Sequence, residues 1–163
     1  MPQRKGTSRK TKSPSRKPNR KPNRKPNRRM SAMARKGLAI RRELRGSQEV
    51  DRSMAEIADD DFLSTFFEYT HEACFGAVWG RPGLDTRTRH LLTLTIMAAL
   101  GQAAGLESVI RRALRGGISR EEMAEVFLRV YSYAGMYASW SAFEKASETF
   151  RLIDQEEAEG SQA

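Results

Sequence analysis

Beyond residue 47, apolar side chains return at steps of three and four residues, and nowhere do they alternate over the length of a strand. Val50, Met54 and Ile57 mark one helix, with Ser47 able to cap it. Phe62, Phe66, Tyr69, the Ala73–Cys74 pair and Ala77 predict the inner face of a helix over 61–80, widened by Leu63 and Phe67. Pro82-Gly83 turns the chain, and Asp85 or Thr86 can cap a helix over 86–100. Its run Leu91–Leu100 is apolar on most faces, which predicts a place at the centre of a bundle or an oligomer. Leu106, Val109, Ile110, Ala113 and Leu114 predict the inner face of a helix closed by Gly116-Gly117, with Arg111, Arg112 and Arg115 outward. Ser119 and Glu122 form a capping box ahead of Met123, Val126, Phe127, Val130 and Tyr131. After Gly135, a last helix from about Tyr137 to Ile153 carries Trp140, Phe143, Ala146, Phe150 and Ile153. The pattern predicts an all-α bundle of about five or six helices.

Charge divides the chain differently. Residues 1–36 hold 15 of the 29 Lys and Arg and no Asp or Glu, so residues 37–163 carry 14 basic against 20 acidic residues, a net of −6. The first segment repeats Lys-Pro-Asn-Arg three times between Lys17 and Arg28. Proline at every fourth position blocks helix and sheet, and no aromatic or branched aliphatic residue before Leu38 offsets the entropy of ordering, so 1–36 is expected to be a disordered basic tail. Such an arm can hold nucleic acid through phosphates without reading sequence, or simply keep the chain soluble. The helical domain is expected over 47–153, and the acidic end 154–163 is expected to fray. A single cysteine, Cys74, excludes an internal disulfide and a cysteine-based metal site. Apolar runs of about ten residues are too short to span a bilayer. No apolar targeting region opens the chain, and the cytoplasm is the expected compartment.

The order of residues adds a resemblance. Phe75-Gly76-Ala77-Val78-Trp79, Arg81-Pro82-Gly83-Leu84-Asp85 and Arg87-Thr88-Arg89 are followed by Arg111–Glu122 and then Tyr133-Ala134-Gly135. This ordered set, over about Asp60 to Phe150, resembles the carboxymuconolactone decarboxylase family. The resemblance implies an alkylhydroperoxidase-D-like helical fold, no cofactor or metal, and a homo-oligomer of three or six chains. The family's peroxidatic branch uses a CxxC pair and a following histidine. Those positions correspond to Gln102, Gly105 and Val109 here, so the resemblance points to the decarboxylase branch.

That branch removes carbon dioxide from γ-carboxymuconolactone in the breakdown of aromatic acids. The chemistry needs cations for carboxylates, a donor for the developing enolate and a group to deliver a proton. By resemblance, Arg81 and Arg87 would bind a small carboxylate substrate, with Trp79 and Tyr133 walling the pocket, and Arg89 and His90 would be catalytic. Family members usually carry a histidine where Val109 stands, and valine transfers no proton; His90 is the residue able to replace it. By position alone His90 reads as an exposed first-turn histidine, and the His71/Cys74 pair as a surface histidine beside a core-edge cysteine. Two further readings stand beside the lyase: an inactive oligomeric scaffold, and a nucleic-acid-associated oligomer acting through its basic arms.

Overall fold

The computed structural model describes residues 30–161, and every regular element among them is helical. They are α1 (Ala32–Arg45), α2 (Ser47–Glu56), α3 (Asp61–Tyr69) running directly into a π-helix (Thr70–Trp79), α4 (Thr86–Ala99), α5 (Ala103–Arg115), α6 (Arg120–Ala134) and α7 (Met136–Gly160). The fold is all-α, as the periodicity predicts. The repeats of the expected tail, and the nucleic-acid role tied to them, lie outside the described residues.

Two expected boundaries move. Residues 32–36, assigned above to the tail, are the first turn of α1, started by Ser31, whose side chain accepts from the Ala34 N–H at 3.0 Å. The buried face of α1 is Ala34, Gly37 and Arg41, a helical spacing written in residues that carry no hydrophobic signal. At the other end, α7 continues to Gly160 instead of fraying after Ile153. No proline breaks it, and Arg111 reaches Glu156 at 2.8 Å to hold the extension against α5.

α1 lies across the π-helix at backbone contact. A Cβ on Gly37 would stand 1.7 Å from the His71 carbonyl oxygen, and one on Gly76 would stand 2.6 Å from that of Met33. The change to π geometry at Thr70 shifts the helical phase, so the buried residues there are His71, Phe75 and Gly76. The face expected to turn inward from α3 is therefore outside: Phe62 is 85% exposed, and Phe66 and Tyr69 are also exposed.

The main core joins α4, α5, α6 and α7 around Leu94, Leu106, Ile110, Ile118, Met123 and Phe127, with Phe143 set edge-on to Phe127 at 5.6 Å. Asp85 caps α4 by accepting from the Thr88 N–H at 2.7 Å. The predicted capping box opens α6: Ser119 Oγ accepts from the Glu122 N–H and Glu122 Oε2 accepts from the Ser119 N–H at 2.9 Å. Arg87 pairs with that same Glu122 and so ties the starts of α4 and α6 together. α4 buries His90, Leu94 and Ala98, four residues apart, and packs Leu91 and Met97 beside them, while Leu92, Ile96 and Leu100 are exposed on its other side. Tyr131, Tyr133, Tyr137 and Trp140 add exposed aromatic surface where α6 meets α7. No described helix is long and apolar enough to cross a membrane.

Candidate functional site: a buried cationic cluster

The π-helix presents His71, Phe75 and Trp79 at steps of four, with ring centroids 6.5 Å apart at each step. The row ends at His90 of α4, whose ring lies 5.2 Å from that of Trp79. Arg112, from α5, places its guanidinium over the Trp79 ring at 5.2 Å. At the other end of the row, Arg41 of α1 donates from its guanidinium to His71 Nε2 at 2.9 Å and to Ser53 Oγ at 3.2 Å, and covers the Phe67 ring. Four elements thus bring two arginines and two histidines onto one aromatic row.

Burial makes this cluster unusual. His90 is 1% exposed, Arg112 8%, and His71 and Arg41 are equally enclosed. The other buried polar side chains among the described residues are Ser139 and Thr149; no carboxylate is among them. Buried charges are ordinarily paired, because an ion removed from water costs several kcal/mol. Here the Arg112 Nε and the Nδ1 atoms of both histidines have no hydrogen-bond partner. The site gathers two cations and three unpartnered polar atoms with no carboxylate among them, a setting complementary to an anion.

The ionisation of these groups follows from that setting. Desolvation, and then the charge of Arg112, holds His90 down to about 4. Desolvation, with Arg41 and Arg42, does the same to His71, also about 4. Both rings are neutral at pH 7. Arginine only donates, so His71 Nε2 accepts and its proton sits on Nδ1. Desolvation, followed by repulsion from Arg45, lowers Arg112 to about 10, which still leaves it charged at pH 7. Cys74 is exposed beside this cluster; desolvation raises its thiol pKa, while the Arg112 charge pulls the other way.

Of the residues suggested from sequence, Trp79 and His90 come together here. Arg89 is engaged by the turn before α4, donating to the carbonyls of Arg81 at 2.8 Å and Leu84 at 3.1 Å. Arg87 is held by Glu122, and Arg81 is exposed. Tyr133 is 81% exposed, stacked under Arg129, and lies eleven residues, about 16 Å of helix rise, beyond Glu122. Three sequence expectations are corrected. His90 is buried and not an exposed first-turn residue. His71 is the buried member of its pair and Cys74 the exposed one. Arg112 points inward, unlike Arg111 and Arg115. Val109 is part of the apolar core. Arg41 and Arg112 escape sequence reasoning because an arginine in a helical pattern reads as solvated; the available signal was their place in the inward register, Arg41 after Ala34 and Gly37, and Arg112 three residues after Val109.

A surface groove of about 750 Å³ lies elsewhere, between α2, α5 and the end of α7. Three of its four arginines are paired, Arg45 and Arg115 with Glu49 and Arg111 with Glu107 and Glu156, so it is largely a solvated ion-pair network. Among the described residues no group of three or more His, Cys, Asp or Glu could hold a metal ion.

Comparison with known proteins agrees with this assignment of fold. Residues 64–148 match the model of the carboxymuconolactone decarboxylase family. The chain is 34% identical over 117 residues to the 4-carboxymuconolactone decarboxylase of Acinetobacter baylyi, covering 72% of this chain and 86% of that protein. It is 33% identical over 102 residues to the nitrosuccinic acid decarboxylase of Metarhizium robertsii, covering 61% and 68%. The helical fold, the matched segment and these two relatives together show that the chain belongs to the carboxymuconolactone decarboxylase family.

Proposed function

We propose that the protein is a carboxy-lyase that uses no cofactor, acting on a small acid whose carboxylate stands next to an electron-withdrawing group. The observation that carries this reading is the buried Arg112, charged, stacked on Trp79 and without a counterion. The two relatives' names share that substrate chemistry: a carboxylate beside a lactone in one, beside a nitro group in the other. When the carbon–carbon bond to carbon dioxide breaks, its electron pair passes onto the oxygen of that neighbouring group. Arg112 offers a fixed positive charge in a dry setting for the anion that forms. Trp79 keeps water from the departing carboxylate. His90, neutral in the free protein, regains basicity as a bound anion offsets Arg112, so it can take up a proton on binding and return it to carbon.

The exposed apolar faces of α3, α4 and the α6–α7 corner support a homo-oligomer, since such surface is seldom left to water. Release of carbon dioxide from 4-carboxymuconolactone and from nitrosuccinate by the full-length protein tests the function. Saturable turnover of either acid, reduced about 10²-fold or more in His90→Gln, is expected. A folded protein that releases no carbon dioxide from either removes these substrates.

A further inference from the structure

Gly116 and Gly117 look like one helix terminator, but they occupy different conformations. Gly117 has φ +80°, the left-handed region that favours glycine, and a Cβ there would meet nothing within 4 Å. Gly116 has φ −78°, open to any residue. Its reason for being glycine is a neighbour: a Cβ at 116 would stand 2.6 Å from His90 Cδ2 and 2.7 Å from His90 Nε2.

From this contact we infer that Gly116 is a positioning residue, whose missing side chain seats the His90 ring against Trp79 and Arg112. The peptide at 116 backs the Cδ2–Nε2 edge of the imidazole. The opposite edge carries Nδ1, the buried atom without a partner. A methyl at 116 pushes that edge, and the ring is enclosed, so the displacement goes into the cluster and not into solvent. The catalytic consequence rests on the reading of His90 given above; the positioning itself rests on the contact alone.

The chain has two histidines, so its imidazole NMR spectrum is simple to assign with His90→Ala. Gly116→Ala is expected to move the His90 signals and leave those of His71, to lower kcat about tenfold with little change in KM, and to lower Tm by about 5 °C. Most of that Tm loss disappears when Gly116→Ala is placed on His90→Ala, because the crowded ring is gone. Gly117→Ala is expected to lower Tm through backbone strain and leave both histidine signals in place. If Gly116→Ala alone does not fold, recovery of folding in the double variant supports the inference equally. His90 signals unmoved by Gly116→Ala, or an equal penalty with and without the His90 ring, overturn it. Moved signals and a coupled Tm with turnover unchanged uphold the positioning and remove the proton role of His90 instead.

Discussion

Arg112→Met is expected to give a protein that is more stable and inactive. The wild-type side chain holds a positive charge at 8% exposure with no buried carboxylate to meet it and with Nε unbonded. Its stacking on Trp79 returns about 1–2 kcal/mol, less than the several kcal/mol lost on leaving water. Methionine replaces the aliphatic stem, carries no charge and no donors, and keeps apolar contact beside the indole. We expect a gain of about 1–2 kcal/mol in urea unfolding and a fall of roughly 10³-fold in kcat/KM. The two results belong together: the strain of an uncompensated charge is what an anionic substrate relieves. A variant that unfolds more readily than wild type would show that the charge is already balanced in the free protein, and the anion-site reading would lose its ground.

The second large effect is acid lability. His71 and His90 have ordinary values near 6.5 in the unfolded chain and about 4 in the folded one. Below pH 6.5 the unfolded chain takes up protons that the folded protein refuses, so stability falls as pH falls. The loss is about 1.4 kcal/mol per pH unit for each histidine and stops near pH 4, below which both states are protonated. Over the window the pair removes on the order of 7 kcal/mol, comparable with the whole stability of a typical domain. Carboxylates paired at the surface act lower. Glu156, held below its ordinary range by the hydrogen bond from Arg111, adds its loss only under about pH 4.5. Urea unfolding between pH 7 and 4.5 therefore isolates the histidines. The slope against pH should fall by about half in His71→Gln and again in His71→Gln/His90→Gln. An unchanged slope in the double variant would assign the acid sensitivity to other groups.

The helices themselves were readable from sequence wherever a run was periodic and its terminators were chemical: Asp85 before α4, Ser119 with Glu122 before α6, Gly116-Gly117 after α5. Two things hid the rest. The inner face of α1 is built of alanine, glycine and an arginine, so its register carries no hydrophobic signal. The π-helix breaks the 3.6-residue phase at Thr70, so a face extrapolated from Phe62 to Ala77 turns outward at one end while His71 turns inward. The site inherits both gaps. Trp79 and His90 stood out as residue types, but the cations that complete their setting come from helix positions where charge ordinarily means solvent.

Cys74 gives the buried cluster an outlet in reaction kinetics. It is the sole thiol in the sequence, it is exposed, and the Arg112 charge favours its thiolate against desolvation. An anion that settles on Arg112 cancels that help, so the fraction of thiolate falls and alkylation slows. The rate at which a maleimide consumes the thiol thus becomes a binding isotherm for any candidate acid. It can rank substrates that turn over, products and inert analogues on one scale, with no label added and no catalysis required.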